Sequence, residues 1–260
     1  MVPAKGTLHM DKTFDFNYRL SDNPNAAVHV GWLVSMASHS RDMLQKIDSS
    51  YKAGIKDFII TGHSQGGGTV FLLTSYLRYL QQENKIPANI QFKTYCSAGP
   101  KPGNLFYAYD YEHLTSEGWA YNVVNSADWV PEVPFSIQTV IDFTAINPFT
   151  NAKAVIKKQK FPKNLVLKHV YNRLSEPSLK AQRRYQKYLG GMASKMVKKQ
   201  LPDFTPQEYF KSNSYVRTGS TIVLYADEEY FKLYNNDPSN PNIWRHHLPV
   251  PYLFLAEKLP

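Results

Sequence analysis

Ser64 lies between glycines two residues to either side, in Gly62-His63-Ser64-Gln65-Gly66, a spacing suited to nucleophilic chemistry. A hydroxyl attacks a carbonyl efficiently only if it is held out from the backbone and relieved of its proton. A sharp strand-to-helix turn does the first, and glycines beside it leave room for the turn and for the neighbouring chain. The amide of Gln65 would then open a helix, where unpaired N–H groups and the positive end of the helix dipole can stabilise an oxyanion. Such a site also needs a base, and an acid that orients the base. The chain supplies candidates for both. Asp128 stands in Asn125-Ser126-Ala127-Asp128-Trp129-Val130-Pro131-Glu132-Val133-Pro134, just past a short apolar run, where two prolines stiffen the backbone. Trp244-Arg245-His246-His247-Leu248 offers an adjacent pair of histidines near the C-terminus. Plainer readings stand beside these: a glycine-rich turn without chemistry, a turn-capping aspartate, and a metal site at the histidine pair. The last has no Cys, Asp or Glu at ligand spacing around it.

These residues need elements to hold them. Phe58-Ile59-Ile60 is a short apolar run of buried-strand type, and Val70, Leu73, Leu77 and Leu80 recur three and four apart on one helical face. Strand, turn and helix therefore follow one another around Ser64. Tyr121 to Val124 reads as a second strand, which would put Asp128 at the carboxyl edge of an α/β sheet, where such sites form. Cys96, the single cysteine, sits in a predicted strand and reads as a buried, inert thiol.

The motifs resemble those of the class 3 lipases, the fungal-type group of the α/β-hydrolases, and the resemblance extends over nearly the whole chain. Val28-His29-Val30-Gly31-Trp32 is similar to the family's Val-His-x-Gly-aromatic segment, and Thr61-Gly62-His63-Ser64-Gln65-Gly66-Gly67 to its nucleophile elbow, with Gln65 where Leu is usual. Thr94 to Asn104 resembles the following strand and loop, and Asn125-x-x-Asp128-x-Val130-Pro131-x-x-Pro134 the element that carries the acid. The resemblance implies one α/β-hydrolase domain over residues 1–260, with a mostly parallel sheet flanked by helices. It implies Ser64 as nucleophile, Asp128 as acid and His247 as base, because Leu248 and Tyr252 follow it; His246 remains the alternative. Lys5-Gly6-Thr7 resembles the family's Arg-Gly-Ser/Thr turn, so Thr7 and Gln65 are the expected oxyanion donors. That turn usually ends an interior strand, so the strands leading up to it are expected to be missing. Leu8 to Ala27 occupies the position of the fungal lid but is short and polar in its second half, which predicts weak interfacial activation.

Composition fits one large α/β domain: 260 residues, 43% apolar, and no run approaching a membrane span. Residues 151–200 hold 14 Lys and Arg against one acid, Glu176, in a chain whose net charge is only +9. This basic stretch belongs to a predicted helical insertion at about 136–214, between acid and base. From Ser178 to Gln200 it reads as an amphipathic helix with Leu179, Tyr185, Tyr188, Leu189, Met192 and Met196 on one side, bent or broken at Gly190-Gly191. A solvated helical cap is one reading and peripheral contact with an anionic membrane surface another. Nothing resembles a nucleic-acid recognition motif, so no nucleic-acid partner is expected.

The expected activity is hydrolysis of carboxylic esters through an acyl-enzyme, with acylglycerols or related lipid esters as substrates and no metal or cofactor. Phospholipase and feruloyl-type esterase activity are alternatives on the same scaffold, and a truncated, inactive hydrolase serving as a binding module is an alternative of another class. Met1 to Met10 holds no apolar signal region. Because bacterial members of the family are often exported, a periplasmic, surface or secreted site is expected.

Overall fold

A computed structural model describes residues 1–205, 208–235, 239 and 241–259. Its centre is a parallel sheet of four strands in sequential order: β5 (Asp57–His63), β6 (Gln91–Ser97), β7 (Ala120–Asn125) and β8 (Ser220–Leu224). His63 pairs with Ser97, Ser97 with Val123 and Val123 with Ile222, so the strands end nearly level. Everything following β5, β6 and β7 therefore emerges at one edge.

Three helices cover one face. α1 (Val30–Lys52) packs on α2 (Gln65–Gln82), which lies on β5 and β6, and α3 (Leu105–Leu114) completes the layer. The predicted spacing on α2 holds, since Val70, Leu73, Leu77 and Leu80 are all buried. They join a core with Phe92, Cys96, Tyr107 and Tyr111, in which burial pushes the Cys96 thiol up. On the opposite face α8 (Pro249–Ala256) and α7 (Glu228–Leu233) build a smaller cluster of Leu224, Tyr230, Tyr252 and Leu255 against Val123 and Ile222. That cover meets β5 at its last residue, His63, whose ring lies 5.2 Å from that of Tyr252, and leaves the rest of the outer face of β5 open. Among the described residues β5 pairs only with β6, and Ile59 is 74% exposed. The buried-strand expectation thus holds in part for Phe58 and Ile60, which are half-buried against the main core, and fails for Ile59.

The N-terminal segment differs from expectation. β1 (Val2–Pro3) pairs with β4 (Ala27–Val28), and β2 (Lys5–His9) with β3 (Asp15–Arg19), both antiparallel and outside the main sheet. Lys5-Gly6-Thr7 is therefore the start of a hairpin strand and not a turn ending an interior strand. Phe16, Tyr18 and Leu20 are buried, with Phe16 5.2 Å from the Tyr76 ring, so the apolar side chains of the stretch in the lid position belong to the core while its polar ones face solvent.

Between β7 and β8 the chain leaves the sheet for α4 (Ala152–Lys157), α5 (Lys163–Tyr185) and α6 (Gly191–Gln200). Gly190-Gly191 does not break the helix: residues Gln186–Gly190 form a π-helical turn through which α5 runs on into α6. The predicted apolar face divides, with Leu179 and Tyr185 half-buried and Tyr188, Leu189, Met192 and Met196 exposed.

Candidate active site

Ser64 occupies the turn from β5 into α2, at φ 61 and ψ −127, a left-handed conformation that a non-glycine residue adopts at a cost of about 1–3 kcal/mol. Its amide donates to the Ser97 carbonyl at 3.0 Å, which ties the turn to the end of β6. Gly62 allows the turn: a Cβ there would stand 2.5 Å from the Gly66 carbonyl carbon and oxygen. Gln65 opens α2, so its amide belongs to the first turn, where N–H groups have no partner within the helix.

Asp128 lies three residues beyond β7, in a turn where Val130 N–H donates to its Oδ1 at 3.0 Å. Its other oxygen, Oδ2, is 2.8 Å from His247 Nδ1 and accepts the Tyr252 hydroxyl at 2.8 Å. The carboxylate is fully buried and His247 nearly so. A carboxylate can only accept, so Nδ1 carries the imidazole proton and Nε2 is left with the lone pair a base needs. His247 belongs to a single helical turn, Arg245–His247, and Leu248 then caps α8, which carries Tyr252. Leu248 and Tyr252, which follow His247 in sequence, thus have separate jobs: one starts the helix, and the other reaches back to Asp128.

His246 points elsewhere. Asn125 Nδ2 donates to the Tyr230 hydroxyl at 2.8 Å and to the His246 carbonyl at 3.0 Å, and the Tyr230 hydroxyl is hydrogen-bonded to His246 Nδ1 at 2.8 Å. The ring is buried, which lowers its pKa. Asn125, which opens the motif around Asp128, thus anchors the backbone ahead of His247.

His63 connects the two halves. Its Nε2 donates to the His247 carbonyl at 2.7 Å, so its Nδ1 accepts from the Ser97 hydroxyl at 3.0 Å, and burial lowers its pKa. The residue before Ser64 is in this way bonded to His247, 184 positions away. Among the described residues no hydrogen bond joins the Ser64 hydroxyl to the His247 ring, a contact that commonly tightens only with substrate bound.

Thr7 is not part of this arrangement. It lines a cavity of about 660 Å³ with Tyr76, Tyr79, Leu80 and Glu83, at the C-terminal end of α2. Ser64 is at the other end of that helix, roughly 20 Å away at 1.5 Å per residue. Contrary to expectation, Thr7 is out of reach of an oxyanion at Ser64, because the hairpin carries it away from the sheet's carboxyl edge. His29 caps α1 by accepting from Trp32 N–H at 3.4 Å and stacks on the Trp32 ring at 4.4 Å.

With this geometry in view, the model of the family described as lipase (class 3) matches residues 5–138, half of the chain, a span holding Ser64 and Asp128 but not His247. No curated protein matches. Partial similarity extends to a lipase from Rhizopus microsporus var. chinensis, with 29% identity over 44% of this chain and 38% of that one and a TM-score of 0.35. For lipase II from Rhizopus niveus the figures are 31%, 42%, 40% and 0.34, and for a mono- and diacylglycerol lipase from Aspergillus oryzae 20%, 45%, 39% and 0.36. The chain thus spans about two-fifths of the length of these solved structures.

Proposed function

The chain belongs to the class 3 lipase family, and from that premise we propose that it hydrolyses carboxylic esters of lipids, acylglycerols foremost, through an acyl-enzyme on Ser64. The observation that carries the reading is the Asp128–His247 contact at 2.8 Å, which leaves Nε2 of His247 as a base.

In the proposed reaction His247 Nε2 takes the Ser64 proton as Oγ bonds to the ester carbonyl carbon. The tetrahedral oxyanion takes a hydrogen bond from the Gln65 amide. When it collapses, the bond from the carbonyl carbon to the alcohol oxygen breaks, and the imidazolium gives its proton to the departing alcohol. Water then attacks the acyl carbon, losing a proton to His247; the bond from that carbon to Ser64 Oγ breaks, the imidazolium returns its proton to Oγ, and the carboxylic acid leaves. Asp128 keeps the tautomer and stabilises the imidazolium without taking the proton itself. Lipid esters are presented in aggregates, and the reading includes peripheral contact with an anionic membrane surface through residues 151–200.

A fluorophosphonate probe tests it. The chain should be labelled and the Ser64→Ala variant should not. Equal labelling of both, or none of either together with no hydrolysis of p-nitrophenyl esters, would sink the proposal.

A further inference from the structure

The helix running from α5 through the π turn into α6 has two faces, and the body of the protein covers only one. On the inner face Ser175 and Gln182 are buried, Tyr185 stacks on Phe135 with ring centroids 6.2 Å apart, and the Gly190 carbonyl accepts the Tyr209 hydroxyl at 2.8 Å. The outer face carries Val166, Val170 and Leu174 at four-residue steps, then Tyr188, Met192 and Met196 at the same steps. All six are between 48% and 76% exposed. Ala181, seven residues from Leu174 and from Tyr188, keeps the two triplets on one stripe. At 1.5 Å per residue the stripe is roughly 45 Å long. Beside it Arg173, Lys180, Arg184 and Lys187 line a shallow cavity of about 790 Å³, in which Glu176 is the single acid.

A solvated cap explains the charges but not the stripe. A helix whose outer face met only water would have no use for six large apolar side chains in register, and none is covered by another part of the described chain. Apolar residues on one line and cations along its flank are the two halves of a helix that lies in a lipid interface. The charge excludes an apolar or cationic partner: 14 cations face one acid over residues 151–200. The inner face also ties this helix to the candidate site, because Phe135 stands seven residues beyond Asp128, on the loop that holds the acid.

We propose that the outer face of the α5–α6 helix docks flat on an anionic lipid surface. Val166, Val170, Leu174, Tyr188, Met192 and Met196 enter the boundary between head groups and acyl chains, and the basic row meets the lipid phosphates and carboxylates. The choice of a lipid partner rests on the lipid-ester reading of the active site, but the docking is measurable without turnover.

The full chain carrying Ser64→Ala is sedimented with phosphatidylcholine vesicles, with and without phosphatidylserine. It should sediment with the anionic vesicles, not with the neutral ones, and lose binding in high salt. Replacing Lys180, Arg184 and Lys187 by Gln should weaken partitioning on the order of 100-fold, at about 1 kcal/mol per cation. A Val170→Glu, Leu174→Glu, Met192→Glu variant should also lose binding although its basic row is intact. With Ser64 restored, both variants should melt like the unsubstituted chain and keep its rate on a soluble short-chain p-nitrophenyl ester. Equal binding to both vesicle types, or wild-type binding by both variants, overturns the proposal. So does retention on single-stranded RNA without vesicle binding. Absence of ester hydrolysis while vesicle binding behaves as stated would reject the hydrolase reading and leave the docking standing.

Discussion

Asp128 accepts from three donors, the ring of His247, the hydroxyl of Tyr252 and the amide of Val130, and together they leave the carboxylate little freedom to turn. Tyr252→Phe removes one bond to a charged group, worth about 1.5–3 kcal/mol. The expected result is a fall in kcat of about tenfold or more with KM little changed, read on a soluble ester; an unaltered kcat would show that Tyr252 only packs. The two histidines should separate more widely. His247→Ala should lose several orders of magnitude in turnover, whereas His246→Ala, whose ring contacts Tyr230 and not Asp128, should keep most of it. A larger loss in His246→Ala would reverse the assignment. Adjacent residues were indistinguishable in sequence because only side-chain direction tells them apart, and that direction is set by the helical turn at Arg245–His247.

At the scale of elements, the turn at Ser64 shows that the glycines of one motif are not equivalent. A Cβ at Gly62 would stand within 2.8 Å of Gly66 and Val70, while one at Gly66 meets nothing within 4 Å. Gly62→Ala should therefore cost about 1–3 kcal/mol through overpacking. Gly66→Ala, inside α2, should be neutral or gain up to about 1 kcal/mol from helix propensity. Thermal melting separates them at about 2–4 °C per kcal/mol, and equal shifts would contradict the steric account. Strand, turn and helix here were legible from period and spacing, since local sequence decides all three. The hairpin of β2 and β3 was not: Lys5-Gly6-Thr7 has the composition of a turn, and only the pairing of Thr7 with Asn17 makes it a strand.

For the whole molecule, burial of neutral histidines couples stability to pH. Burial pushes His29 down to about 3 from the ordinary 6.5 and lowers His63 and His246 in the same direction. As the folded-state values lie below the unfolded one, the unfolded chain takes up protons first as pH falls. The contribution of His29 is complete above about 6.5 and lost progressively toward about 3. The urea midpoint should thus fall between about pH 7.5 and about pH 5, and His29→Gln should flatten that dependence. An unchanged slope would mean that His29 is accessible to water in the folded state.

The sequence by itself determined the parts whose signals are local: the strand, elbow and helix around Ser64, the proline-stiffened turn of Asp128, and the concentration of positive charge in residues 151–200. Tertiary structure decided what depends on distance. It joined His63 to the carbonyl of His247, turned His246 toward Tyr230, carried Thr7 to the far end of α2, and left one face of the α5–α6 helix uncovered. Periodicity and turn chemistry report only on neighbours along the chain, whereas a hydrogen bond across 184 residues, or a side chain left in water, exists only once the sheet and its helices have packed.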